Sequence, residues 1–428
     1  MNIAGRMNVL IVHHHAIPPT EPGSTRHFSL ARYLVRAGHD VTILCSAFSH
    51  HTRTELAARG GGARLVASHD GVTFARLRSP QYKKNDFRRV WNFLSFAFRA
   101  LLPATLSELP RPSVVLGSSP QPLSALAGLI VARRLGVPFV LEVRDLWPET
   151  LCELGGYDRR NPFVRILYRV ERLLYSKADE IITLLPDSAP YICLQGARKE
   201  RITFIPNGID LELLPQGQAT APEREPPTVI YAGAHGLANG LDAILRAIRL
   251  VEDSGTPVRF RFIGDGPKKP ALRDLAASLG LRSVSFEDAL PKDRIYGALT
   301  EADAFIVNVR DSALYRHGTS LNKVFDYMAL GRPTILASNS SNNIIADSGA
   351  GICVGADDSA SMAEAIVKVV GMSAEERRKM GGLGQEYVQR HHSFFELARD
   401  VEGVLARAVE RRTLHSAVTG AAERLARE

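Results

Sequence analysis

Short continuous runs of apolar residues alternate along the chain with longer stretches in which apolar positions recur every three or four residues. The runs 9–12, 41–45, 114–117, 139–143 and 180–184 read as strands covered on both faces, the pattern of a buried parallel sheet. Between the first two, residues 29–37 are apolar at helical spacing, and Gly38 stands where a helix end favours left-handed backbone. That is a strand-helix-strand unit. From 211 to 228 the composition shifts to Pro, Glu, Gln, Ala and Thr, with Pro215, Pro222, Pro226 and Pro227, which predicts an interdomain linker. The alternation then restarts. Strands are predicted at 229–232, 258–263, 284–286, 304–307 and 334–337, and helices at 241–251, 270–279 and 320–330. The fold class is therefore α/β, with two Rossmann-like doubly wound domains, 1–210 and 229–390, expected to face a cleft. A charge-rich helical segment, 391–428, carries an apolar stripe of Phe394, Phe395, Leu397, Val401, Val404 and Leu405 and is expected to pack across one or both domains.

Composition narrows this only a little. The 428 residues are too many for one small module, and 45% apolar with 23% charged residues excludes disordered and fibrous classes. Cys45, Cys152, Cys193 and Cys353 lie far apart, so they suggest neither a disulfide framework nor a zinc knuckle, and a cytoplasmic location fits best. A net charge of +8 and a pI near 9.4 favour anionic partners without choosing among them. The longest apolar stretch, 123–132, is about half the ~20 residues that cross a bilayer.

Open α/β sheets bind ligands beyond the carboxyl ends of their strands, so the loops after strands hold the candidate chemistry. After the first strand, His13, His14 and His15 lead to Gly23, which allows close backbone approach to a ligand, and to a helix start that offers free N–H groups to an anion. Strand periodicity sends His13 and His15 to one face and His14 to the other, and no acidic or Cys partner has zinc spacing, so no metal site is expected. Arg144 and Asp145, in the run Glu142 to Glu149, end another strand with the charge density of a site; an ion pair between them closing the domain is the plainer alternative.

The stretch 316–333 is the most informative. Gly318 frees the backbone, Thr319 or Ser320 can cap the following helix, and Lys323 in its first turn opposes the helix dipole, which suits an anionic ligand. An exposed lysine costing a few tenths of a kcal/mol is the competing explanation. Asp326, one turn on, can accept from the hydroxyls of a ribose. Together they fit a nucleoside diphosphate.

Residues 76–99 combine Arg76, Arg78, Lys83, Lys84, Arg88, Arg89 and Arg99 with Tyr82, Phe87, Trp91, Phe93, Leu94, Phe96 and Phe98. Basic residues beside clustered aromatics suit a helix resting on an anionic membrane. The alternative is an ordinary domain helix in which Trp91, Leu94 and Phe98 form the inward stripe.

Taken together, the sequence resembles the retaining nucleotide-sugar glycosyltransferases of family 4, which have the two-domain GT-B fold. The resemblance covers nearly the whole chain and rests on the loop 19–24, Ile205-Pro206-Asn207-Gly208-Ile209-Asp210, Tyr231-Ala232-Gly233 with Gly240, Phe262-Ile263-Gly264-Asp265-Gly266-Pro267, and the run from Phe325 to Pro333. The chain departs from the family where two Glu residues are common, having Gly318 and Asp326. It departs again where Arg and Lys usually hold the diphosphate, having Ala234 and Asn239, and where His commonly precedes Asp, having Arg144. The departures resemble the bacterial N-acetylfucosaminyl and other amino-sugar transferases of O-antigen and capsule assembly, with Arg144-Asp145-Leu146-Trp147-Pro148 and Asn322-Lys323-Val324-Phe325-Asp326-Tyr327.

The resemblance implies a donor, UDP-linked, on the second domain, with Gly23, Gly233, Gly236, Gly264, Gly318, Thr319, Ser320, Lys323 and Asp326 as donor-binding residues. It implies Arg144, Asp145 and Lys323 as catalytic residues. A polyprenyl-diphosphate-linked or glycan acceptor is expected near Lys83, Lys84, Arg88, Arg89 and Trp91, on the inner face of the plasma membrane. No cofactor, no metal and no nucleic-acid partner are expected. Two other readings remain: an epimerase of the same fold, and a non-catalytic nucleotide- or nucleic-acid-binding protein. Against the latter, Gly264-Asp265-Gly266 lacks the third Gly of a dinucleotide fingerprint, and neither a Walker motif nor an aromatic-rich ribonucleoprotein motif occurs.

Overall fold

A computed structural model describes residues 5–21, 23–49, 64–82, 87–107, 109–214 and 225–425. The chain divides into two compact units, one of residues 1–18, 23–206 and 395–428, the other of residues 19–22 and 207–394. Most of the expected linker, 215–224, lies outside the described residues.

Among the described residues the first unit is built on eight strands: β1 (Asn8–Val12), β2 (Asp40–Ser46), β3 (Arg64–His69), β4 (Val72–Leu77), β5 (Val114–Ser118), β6 (Phe139–Val143), β7 (Glu180–Thr183) and β8 (Ile202–Phe204). Their order is β3-β4-β2-β1-β5-β6-β7-β8. All pairings are parallel except the β3/β4 hairpin, whose turn places Asp70 and Gly71 at positive φ. The central strands are buried throughout, as their unbroken Val, Ile and Leu runs require. The strand order reverses between β1 and β5, so a crevice opens at the carboxyl ends of those strands, where such sheets hold ligands.

The second unit carries β9 (Thr228–Ala232), β10 (Arg259–Ile263), β11 (Val284–Glu287), β12 (Ala304–Asn308), β13 (Thr334–Ala337) and β14 (Gly351–Val354) in the order β11-β10-β9-β12-β13-β14, all parallel. Its switch point lies between β9 and β12. One core, with Ile244, Ile248, Phe260 and Ile366, covers one face of the sheet; another, with Phe305, Val324, Tyr327 and Met328, covers the other.

The last helix begins at Phe394, and from Phe395 onward the chain belongs to the first unit. There the ring of Phe395 meets Tyr33, His39 reaches Glu402 at 3.1 Å, and the buried Glu180 at the start of β7 pairs with Arg411 at 3.1 Å.

Candidate functional site

In the second unit the loops after β9 and β10 touch. A Cβ on Gly264 would lie 1.9 Å from the carbonyl oxygen of Gly233, so only glycine fits. The peptide N–H of Gly233 donates to Ile263 O at 2.9 Å, and that of His235 to Asp265 O at 2.8 Å. Lys323, in the first turn of the helix Asn322–Ala329, brings its side chain beside Gly233. Its Nζ donates to the Tyr231 hydroxyl at 3.0 Å and to Asn239 Oδ1, and lies 4.6 Å from the Tyr231 ring centroid. Tyr231 and Asn239 are in turn fixed by donating to Ala234 O at 2.8 and 2.9 Å. Burial, with no carboxylate partner among the described residues to offset it, brings the Lys323 ammonium down to about 7. Asn239, which stands where the resemblance leads one to expect a cation, thus holds the cation that Lys323 supplies from another element.

Asp326 accepts from the Tyr296 hydroxyl at 2.9 Å. Gly318, at φ 90°, ends a short 3-10 turn, a backbone shape that a side chain would strain. Thr319 and Ser320 do not cap the following helix. Its N-cap is Leu321, with no side-chain cap, so Thr319 and Ser320 precede the capping position. The Thr319 N–H donates to Asn342 Oδ1 at 2.7 Å, and Ser320 Oγ accepts from Asn207 N–H at 2.8 Å. Gly236 begins the 3-10 turn leading to Asn239.

Sequence reasoning missed Asn239 and Tyr231 as partners of Lys323, and it missed His235. That ring is fully buried beside Tyr231 and Phe286, with neither nitrogen hydrogen-bonded among the described residues, and burial with nearby Lys269 lowers it to about 4.

In the first unit the carboxyl ends of β1, β5 and β6 bring together His13, Ser118, Glu142 and Arg144. Glu142 is fully buried and accepts from Arg26 Nε at 2.8 Å, His27 Nε2 at 2.6 Å and Ser118 Oγ at 2.6 Å. Burial alone would raise its carboxyl, but its cationic and hydrogen-bonding partners hold it well below the usual range. Arg26 also donates to Ile205 O and Pro206 O, the last residues before the chain enters the second unit.

His13 accepts the His15 N–H at Nδ1, 3.0 Å, and its Nε2 lies 3.3 Å from Arg144 Nη1. Burial keeps this ring neutral, with one lone pair, whereas the His15 N–H and the Arg144 guanidinium are both donors, so the ring accepts from only one of them at a time. No salt bridge joins Arg144 to Asp145 among the described residues, and Asp145 is exposed, so the domain-closing pair is absent. Gly23, at φ 139°, precedes the helix Arg26–Arg36 in this unit.

The helix Phe87–Ala100 is turned opposite to the plainer expectation. Asn92, Phe96 and Ala100 face inward, His14 packs on Phe93 and Phe96, and Asn92 Nδ2 donates to Pro80 O at 2.7 Å. Phe87, Trp91, Leu94 and Phe98 are 75%, 60%, 44% and 66% exposed. Arg88 is exposed and Arg89 half-buried along the same helix; Lys83 and Lys84 lie outside the described residues. Among the described residues no helix is long and apolar enough to cross a membrane, and no group of three His, Cys, Asp or Glu could hold a metal ion.

Residues 23–208 match the glycosyl transferase 4-like domain and residues 226–371 the glycosyl transferases group 1 domain. With two parallel-sheet α/β units, these matches define the class: the chain is a glycosyltransferase of the GT-B fold. The two matched domains are similar to those of the family 4 glycosyltransferases.

WbjE of Pseudomonas aeruginosa, named as a glycosyltransferase, is 25% identical over 316 residues, covering 70% of this chain and 75% of that one. WcaI of Escherichia coli, named for colanic acid biosynthesis, is 21% identical over 294 residues, covering 65% and 70%. Among solved structures, sucrose-phosphate synthase from Thermosynechococcus elongatus aligns with a TM-score of 0.74 at 16% identity, over 96% of this chain and all of that one. Anabaena HepE, solved with UDP and glucose, aligns at 0.66 with 13% identity, over 94% of this chain and all of that one.

Proposed function

We propose that the second unit binds a UDP-linked sugar and that the chain transfers the sugar, an N-acetylated amino sugar, with retention to a lipid-linked saccharide in surface polysaccharide assembly. The observation that carries this reading is the Lys323 ammonium, held by neutral oxygens beside the contact of Gly233 with Gly264, where a diphosphate can approach the backbone closely. Asp326 takes the ribose hydroxyls. The solved relative with UDP and glucose supports the class of donor. The resemblance of 144–148 and 322–327 to amino-sugar transferases supports the sugar.

Retaining transfer proceeds on one face of the sugar. As the bond to the diphosphate breaks, the departing oxygen takes the acceptor's proton, and Lys323 with the glycine-loop N–H groups stabilises the charge it gains. The protein supplies that charge itself, so the proposed step needs no metal and no cofactor. Arg144 and Asp145, at the carboxyl end of β6, are the residues that the resemblance marks for catalysis in the first unit.

The exposed Phe87, Trp91, Leu94 and Phe98 beside Arg88 suit contact with the anionic inner face of the membrane, where a polyprenyl diphosphate would present the acceptor. Product analysis tests the reading. Transfer releases UDP only when acceptor is added, whereas an isomerised donor formed without acceptor would replace transfer by epimerisation.

A further inference from the structure

We infer that binding of the nucleotide sugar is coupled to uptake of one proton by Lys323. The inference deepens the proposed function and rests on its placement of the donor at Gly233 and Lys323.

A lysine amine in its neutral form has two N–H bonds and a lone pair; the ammonium has three N–H bonds and no lone pair. Around Nζ this site offers two oxygen acceptors, the Tyr231 hydroxyl and Asn239 Oδ1, and both are directed at it by hydrogen bonds to the same carbonyl of Ala234. Two N–H bonds are thereby satisfied without an ionised partner. The remaining tetrahedral direction is a lone pair in the free protein and must become a third N–H bond before a phosphate oxygen can be bound there.

The charged groups around Nζ do not alter this. Tyr231 from β9 stays protonated, because burial raises its hydroxyl well above 10. His235, in the loop after β9, is neutral above about pH 4, and if charged it would only repel the lysine. Lys269, on the helix Lys269–Ser278, is tied to Asp288 at 2.8 Å and to two carbonyls. Asp326, one turn along the lysine's own helix, receives the Tyr296 hydroxyl. No carboxylate makes a salt bridge to Lys323 among the described residues; the ammonium faces only neutral oxygens and the Tyr231 ring, and burial brings it down to about 7. A nucleoside diphosphate sugar brings two negative charges, which restore the ammonium. The proton comes from solvent, and it returns there when the diphosphate product leaves.

The test is isothermal titration of the full chain with UDP-glucose, whose diphosphate does not titrate above pH 6, between pH 6.5 and 9.5 in pairs of buffers with different ionisation enthalpies. The expected result is a dissociation constant that rises about tenfold per pH unit above about pH 7.5, with nearly one proton taken up at pH 8.5. Lys323→Arg, whose guanidinium stays charged, is expected to bind with a flat profile and no proton uptake, and Lys323→Met to bind weakly at every pH. A flat wild-type profile without proton uptake, or a slope that persists in Lys323→Arg, overturns the inference while leaving the donor assignment standing. Failure of UDP-glucose to bind at pH 6.5 overturns the donor assignment itself, and the inference with it.

Discussion

Arg26 Nε lies 2.8 Å from Glu142 Oε1, and both side chains are buried between the first helix and the carboxyl end of β6. A buried ion pair is costly to break, because the remaining charge is left without compensation, at about 3–5 kcal/mol. Arg26→Met is therefore expected to lower unfolding free energy by about that amount at pH 7 in urea titration. The Glu142 carboxyl is depressed on folding, so its contribution is present above the unfolded carboxyl value and is lost as pH falls through the folded one. The gap between wild type and Arg26→Met should accordingly narrow in acid; a gap independent of pH would show that Glu142 is not the group concerned.

Lys323→Ala and Asp326→Ala are each expected to weaken UDP-glucose binding at pH 6.5, where Lys323 is charged, by about 1–3 kcal/mol. Tyr296→Phe removes only the hydroxyl that orients Asp326 and should cost less. Equal affinity in wild type and both alanine variants would place the donor elsewhere.

Gly264→Ala forces a methyl group into the carbonyl of Gly233. Overpacking of this kind costs about 1–3 kcal/mol, and the displaced loop should also lose donor binding. Gly297→Ala is the matched control. It lies inside the helix Lys292–Leu299 with nothing near its would-be Cβ, so it should be neutral or gain up to about 1 kcal/mol. Thermal unfolding of the two variants, with and without UDP-glucose, compares them.

His235 is buried neutral and lowered to about 4, against about 6.5 when unfolded. Below pH 6.5 the unfolded chain binds the extra proton, so this residue makes the second unit progressively less stable as pH falls from 6.5 to 4. His392 is lowered to about 4 as well and adds to the same effect. His235→Leu should remove part of the acid sensitivity and, by replacing an unpartnered polar ring, raise stability at pH 7.5 by about 1–3 kcal/mol. Melting temperatures of wild type and variant across that range decide it; parallel curves would contradict the assignment.

Trp91 and Phe98 project outward from the helix Phe87–Ala100. Changing both to Ser should abolish sedimentation with anionic liposomes at low salt and leave the melting temperature unchanged, whereas residues packed inside the domain would unfold it. Arg88→Ser should weaken attachment by about 1 kcal/mol and reduce its salt dependence.

The architecture was legible along the chain because buried parallel strands need unbroken apolar runs. The segments 139–143 and 334–337 form β6 and β13 as their patterns require, and Gly38 closes the first helix at φ 98°. The spacing of Lys323 and Asp326 was likewise legible, since it is set within a single helical turn. The β3/β4 hairpin and β14 were not anticipated: β3 and β14 are only partly buried and carry weak patterns.

What the sequence determined by itself was whatever depends on neighbours a few residues apart. Tertiary structure decided the rest. Which face of the helix Phe87–Ala100 points inward depends on His14 and Pro80 as its packing partners, because both faces carry aromatic residues. The backbone before the helix Asn322–Ala329 is held by Asn342, which bonds the N–H and the carbonyl of Thr319. The charge state of Lys323 depends on Tyr231, 92 positions away, and Asn239, 84 positions away. Solvation and hydrogen bonding act through space over a few ångströms, and only the folded chain brings those groups within that distance.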